Sequence, residues 1–183
     1  MTLTTEDFKY VREHVREVPD FPKKGILFLD VTTIVKDAKA FNKCIDFLYD
    51  RFKDEKIDYV AGIESRGFIF GAPLACRLNA GFVTIRKPNK LPAETIKETY
   101  SLEYGEDTIE MHADAIKSGD RVVVIDDLLA TGGTACAACN LVKKVGGDVA
   151  AAAFVIELTP LKGKEKIESK GVEVVSMLEY DLD

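Results

Sequence analysis

The chain is poor in the residues that build metal clusters and disulfide frameworks. Among 183 residues there are four cysteines and two histidines. Cys44, Cys76, Cys136 and Cys139 are scattered, without the density of a disulfide scaffold, which fits a reducing compartment. Cys136 and Cys139 form a CxxC, which could be a redox pair or half a zinc site. No second CxxC accompanies it, so the pair reads instead as two small residues on a helix through "TACAACNLVKKV". No apolar run approaches the roughly 20 residues that span a bilayer, and no membrane association is expected. The opening "MTLTTEDFKYVREHVREV" lacks the apolar stretch of a secretory signal, so a cytoplasmic location is expected. Positive charge is also in deficit: 25 Lys and Arg stand against 31 Asp and Glu, a net charge of −6. That argues against a nucleic-acid partner while leaving room for a local basic pocket that takes a phosphorylated ligand.

The length suits one well-packed domain, expected to span residues 1–183. No repeat, linker or low-complexity tract interrupts it. Phe8, Val11, Val15 and Val18 recur at helical spacing and predict a helix over 5–18. Phe41, Cys44, Ile45, Leu48 and Phe52 form one apolar stripe on a helix from Asp37 to about Lys56. "YVAGI", "GFVTIR", "RVVVID", "DVAAAAFVIEL" and "VEVVSML" read as buried strands, with "GFIFGAPLACRLNA" a helix between the first two. Apolar strands alternating with helices predict an α/β fold: a central parallel sheet flanked by helices. From Lys87 to about Thr99 the rhythm breaks, with two prolines and no amphipathic period. That segment predicts a long loop at the root of a hairpin, where Tyr100, Leu102 and Tyr104 alternate before a turn at "GED" and Ile109 and Met111 alternate after it. Long irregular loops in compact domains are often functional lids.

The sharpest signal is "VVVIDDLLATGGT", from Val122 to Thr134. A buried strand over Val122–Ile125 ends in two carboxylates, and small residues lead into a helix. Ala130, Thr131, Gly132, Gly133 and Thr134 would form the helix start, where unpaired amides and the positive dipole end suit a phosphate dianion. Glycine lets backbone approach the anion closely, and threonine hydroxyls add donors. The segment is not GxxxxGK[ST], so it does not suggest nucleoside triphosphate hydrolysis. Asp126 and Asp127 would repel a phosphate, but as ionised acceptors they suit vicinal ribose hydroxyls. A sugar carrying a 5-phosphate satisfies both halves.

This stretch resembles the phosphoribosyl pyrophosphate signature of the type I phosphoribosyltransferases, and "DDLLATGGT" resembles their adenine-using branch in particular. "FPKKGILFLDVT" resembles the N-terminal base-binding segment of that branch, "GIESRGFIFGAPLA" its pyrophosphate loop, and "RKPNKLPAETIKETYSLEYGED" its flexible catalytic loop. The match runs in order from about Val18 to Thr159. The resemblance implies transfer of a phosphoribosyl group to adenine, giving AMP and pyrophosphate, with Mg²⁺ held mainly by phosphoribosyl pyrophosphate and water. It implies that Ala130 to Thr134 hold the 5-phosphate and that Asp126 and Asp127 hold the ribose hydroxyls. Ser65, Arg66, Lys87 and Lys90 would meet the pyrophosphate. Glu103 and Tyr104 would close over the reacting centre, Glu103 taking the proton of the incoming nitrogen. Leu27 would offer backbone groups to adenine and Phe28 would stack on it. Where relatives often carry arginine, as "FRD", this chain has Leu29, which removes a charge near base pocket and lid. The resemblance also implies a homodimer, and a non-proline cis peptide near Ser65 is frequent in the family.

Three other readings compete. A xanthine or hypoxanthine–guanine enzyme would keep the fold and invert the hydrogen-bond polarity at the base. A regulator that senses phosphoribosyl pyrophosphate without catalysis would add a DNA-binding module or a basic face. An inactive member would use the fold only for interactions. The acidic charge, the intact phosphate loop and the lid favour the enzyme.

Overall fold

The computed structural model describes residues 3–101 and 105–181. Helix α1 (Thr5–Glu13) opens on a capping box: Asp7 N donates to Thr4 Oγ1, and Thr4 N donates back to the Asp7 carboxylate. The helix stops five residues short of the predicted end. Arg16–Pro19 is strand β1, paired antiparallel with β2 (Leu27–Asp30). Pro19 has no N–H to continue a helix, and the ladder to β2 satisfies the backbone of Arg16–Val18 instead. After α2 (Thr32–Lys36) comes α3 (Ala38–Phe52), where the Asp37 side chain accepts from Ala40 N at 2.8 Å. Its stripe of Ala40, Cys44, Ile45, Leu48 and Phe52 is buried as the spacing requires. Each of the larger side chains contributes about 1.5–3 kcal/mol by leaving water.

The main sheet is five parallel strands: β3 (Tyr59–Ile63), β4 (Gly81–Ile85), β7 (Arg121–Leu129), β8 (Asp148–Leu158) and β9 (Val174–Tyr180), in spatial order β4-β3-β7-β8-β9. Alternation along the central strands sends Val123, Ala151, Ala153 and Val155 into a core with α3 and α4 (Gly67–Leu78). Val122, Val124, Ala152 and Phe154 point into a second core under α5 (Gly133–Lys144). Helices thus cover both faces, as the continuous apolar strands predict. Cys136 and Cys139 are free thiols on the buried face of α5, and burial pushes the Cys139 thiol up to about 12. A short 3₁₀ turn (Thr159–Leu161) and α6 (Gly163–Glu168) lead towards β9.

The segment expected as a long loop is half strand. Thr95–Ser101 is β5, paired antiparallel with β6 (Glu106–His112), so the irregular part ends at 94. Thr95, Ile96 and Thr99 favour the extended backbone, and the partner strand supplies the period that the charged residues hide.

The sheet order reverses between β3 and β7. Connections leave β3 towards β4 on one side and β7 towards β8 on the other, which opens a crevice at the carboxyl ends of β3 and β7. β3 stops at Ile63, whereas β7 runs on beside β8 to the Leu129–Glu157 pair. Asp126 and Asp127 therefore sit within the strand, on a step where one neighbour has ended.

Candidate active site

The step holds two aspartates with different surroundings. Strand parity and the local twist leave Asp126 partly exposed towards α5, while Asp127 is 4 % exposed. Asp126 Oδ1 accepts from Asp127 N at 2.9 Å. Burial pushes the Asp126 carboxyl well above the usual aspartate range, and the neighbouring Asp127 charge pushes the same way. Asp127 Oδ2 accepts from Arg66 Nε at 2.5 Å. Arg66 lies at the start of α4, just after a cis peptide between Glu64 and Ser65. Gly67, next in sequence, explains how the two elements come so close: a Cβ there would stand 2.6 Å from the Ile125 carbonyl oxygen.

Arg66 also reaches the N-terminal strands. Its guanidinium carbon lies 5.7 Å from the centroid of Phe28, and the ring of Phe21 meets Phe28 edge-on at 5.2 Å. Phe21 sits in the β1–β2 connection, which Asp20 tightens by accepting from Gly25 N at 2.6 Å. Leu29 behaves otherwise than its place in the motif suggests. At 2 % exposure it packs into the core with Ile34, on the opposite face of β2 from Phe28, and so stands outside the crevice. Leu27 is partly buried against the same core.

Beyond β7, the loop reaches α5 three residues later than the sequence predicts. Helix α5 starts at Gly133, with Gly132 before it at φ 75°, a left-handed turn that favours glycine. No side chain caps this helix start and its first turn carries no acidic residue. Asp126, Ala130, Thr131, Gly132, Gly133 and Thr134 line a cavity of about 90 Å³ there. A second cavity of about 200 Å³ adjoins it, lined by Glu64, Arg86, Lys87, Tyr100 and Asp107, and it shares Asp126 and Thr134 with the first.

The outer wall is tied together by charge. Arg86 forks onto Glu64, Nη2 to Oε1 at 2.9 Å and Nε to Oε2 at 3.2 Å, and this pairing holds the Glu64 carboxyl below its usual range. Arg86 Nη1 also donates to the Lys90 carbonyl at 3.1 Å. Lys87 Nζ pairs with Asp107, which lowers the Asp107 carboxyl. Lys87 thus lines the crevice, while the side chain of Lys90 is exposed on the turn above it. Ser65 is exposed at the tip of its loop. Glu103 and Tyr104 fall outside the described residues. Tyr100, which the sequence marked only as part of the hairpin's alternation, lines the crevice together with Asp107 and Glu64, which had not stood out. For Tyr100 and Asp107 a signal existed, since they face each other across the hairpin.

A profile of the phosphoribosyl transferase domain matches residues 30–180, across this whole sheet and crevice. The chain belongs to the phosphoribosyltransferase family, on its adenine branch. Adenine phosphoribosyltransferase of Koribacter versatilis is 56 % identical over 171 residues, 93 % of each chain. That of Shewanella amazonensis is 50 % identical over 181 residues, 99 % of this chain and 100 % of the relative. The crystal structure of adenine phosphoribosyltransferase from Thermoanaerobacter pseudethanolicus superposes with a TM-score of 0.91 at 50 % identity, covering 94 % of this chain and 99 % of that one. The Saccharomyces cerevisiae enzyme, solved with adenine and an imino-altritol bisphosphate, superposes at 0.89 with 40 % identity, covering 96 % of this chain and 100 % of that one. Open α/β sheets in general bind ligands in a crevice of the kind that opens here at the β3–β7 reversal.

Proposed function

We infer that the chain transfers the 5-phosphoribosyl group of phosphoribosyl pyrophosphate to adenine, giving AMP and pyrophosphate in purine salvage. One observation carries the reading: a small cavity at an uncapped helix start and a larger cavity beside it meet at Asp126 and Thr134. A phosphate in the first and a pyrophosphate in the second would leave the ribose between them.

In this reading Ala130 to Thr134 hold the 5-phosphate with amides and hydroxyls. Asp126 and Asp127 accept from the ribose hydroxyls, Asp127 through the oxygen that Arg66 leaves open. Arg66 presents its terminal nitrogens, and Ser65 its backbone, to the pyrophosphate. Lys87 and Lys90 close on it from the outer wall. Phe28 stacks on adenine and Leu27 offers its backbone to the base edge. Departure of pyrophosphate from C1 passes through an oxocarbenium-like centre with little bonding to either group. Most of the acceleration must therefore come from alignment and from neutralising the leaving group. Glu103 takes the proton that the attacking nitrogen loses, and Tyr104 closes over the centre with it. Mg²⁺ fits this donor set: Asp126, partly exposed where the cavities join, would hold it together with substrate oxygens and water. When bound, the ion offsets charge on the departing pyrophosphate.

A homodimer in which the partner supports the 87–94 segment completes the proposal, along with a cytoplasmic location and no nucleic-acid partner. Among the described residues no helix is long and apolar enough to cross a membrane. The test is a competition assay with phosphoribosyl pyrophosphate and Mg²⁺, offering adenine, hypoxanthine, guanine and xanthine together. AMP as sole product is expected. IMP, GMP or XMP would reassign the base, and bound phosphoribosyl pyrophosphate without any nucleotide would mark a sensor.

A further inference from the structure

The Tyr100 phenol stands in the middle of a short hydrogen-bond chain that joins the two cavities. Thr134 Oγ1 donates to Tyr100 Oη at 3.0 Å, and Tyr100 Oη donates to Asp107 Oδ2 at 3.2 Å. Asp107 is also paired with Lys87. Counting protons fixes the direction of this chain. An ionised aspartate only accepts, so the single phenol proton goes to Asp107. The bond between Thr134 and Tyr100 must then use the Thr134 proton, and Thr134 has one. On the function proposed above, on which this inference rests, a 5-phosphate seated in the loop offers only acceptor oxygens and claims that same proton. One hydroxyl proton cannot serve both.

The ring adds a second tie. A Cβ at Gly133 would lie 3.4 Å from Tyr100 Cδ2, so the phenol packs directly on the backbone of the phosphate loop. Tyr100 is also the penultimate residue of β5, three positions before Glu103. We propose that Tyr100 is a positioning residue that couples occupancy of the phosphate loop to the β5–β6 hairpin. In the free chain the bond from Thr134 holds the hairpin against the loop. Arrival of the phosphate turns the Thr134 hydroxyl to the ligand, releases Tyr100, and loosens the β5–β6 hairpin from the loop.

Ribose 5-phosphate is the probe, because it carries the phosphate and hydroxyls without the pyrophosphate. Amide hydrogen exchange of the full chain should slow at 130–134 on binding and speed up several-fold over 95–101 and 106–112. Tyr100→Phe keeps the ring on Gly133 and removes the hydroxyl. Its hairpin should exchange fast before any ligand is added, and it should bind ribose 5-phosphate about fivefold tighter, the equivalent of one ordinary hydrogen bond that no longer has to be broken. Thr134→Ser, which keeps the hydroxyl, should retain the parent response. A merely structural Tyr100 gives the opposite sign, with weaker binding in Tyr100→Phe, and that result overturns the coupling. Protection at 130–134 with an unchanged hairpin in the parent chain overturns the coupling and leaves the phosphate site standing. Absence of protection at 130–134 overturns both.

Discussion

The crevice is built from two kinds of structure. Its floor is the end of β7, with Asp126 and Asp127, followed by the start of α5; the strand is paired with β3 as far as Ile125 and with β8 as far as Leu129, and has a core on each face. Its walls, the strand bearing Phe28 and the hairpin bearing Tyr100, are separate two-stranded sheets. A two-stranded sheet is marginal by itself and depends on what it leans on. The hairpin leans on α5 through Glu98, which accepts from Asn140 at 2.8 Å and pairs with Lys144, and on β4 through the Arg86–Glu110 bridge. On the proposed function, affinity for the sugar phosphate would belong to the floor, and base selection and closure to the two walls, each of which leans on the main sheet from outside.

The most severe break in this division of labour should come from the hairpin. Glu103→Leu is expected to lower kcat by about 10²–10⁴, the usual worth of a positioned base, with little change in either KM. Steady-state kinetics decide it, and equal turnover removes Glu103 from the mechanism. On the floor, Asp127→Asn should raise KM for phosphoribosyl pyrophosphate by about 10–100-fold, as loss of charged hydrogen bonds predicts. The fold should survive, because asparagine still offers Arg66 an acceptor; an unchanged KM would detach Asp127 from the ribose. Phe28→Ala should raise KM for adenine by about tenfold, within the range of base–aromatic stacking. If KM for phosphoribosyl pyrophosphate rose equally, the contact with Arg66 would be binding floor and wall into one unit.

The smallest effect concerns pH. Asp126 titrates above the ordinary 3.8 because the surrounding protein desolvates its carboxyl and the Asp127 charge stands beside it. The folded chain therefore keeps that proton where the unfolded chain has lost it, so the stability it contributes is full below about 4 and is lost as pH rises through the raised value. Asp126→Asn imitates the protonated form. Thermal melts from pH 4 to 8 should show the variant gaining on the parent as pH rises. A constant difference would leave burial out of the explanation.

The sheet was legible because parallel strands buried on both faces write themselves as apolar runs, and "RVVVID" or "DVAAAAFVIEL" admits few other readings. The helix start near Ala130–Thr134 was legible, to within three residues, because small residues and glycines mark the turn from strand into helix. Two features were hidden for opposite reasons. Val18 keeps helical spacing with the residues before it, yet a strand 10 residues further on claims its backbone. Arg66 and Asp127 meet across 61 positions, a distance over which no local pattern operates. Leu29 looked like a loss at the site only because sequence adjacency to Phe28 hides the pleat that separates them.

That pleat has a practical meaning for anyone wishing to change the base this enzyme accepts. Along β2, Phe28 looks towards the crevice and Leu29 towards the core. Libraries at Phe28 and at its edge partner Phe21, half of which is exposed, can be screened for new purines with little risk to expression or melting temperature. A basic side chain at 29 would bury a charge in hydrocarbon, so that position is the one to leave alone.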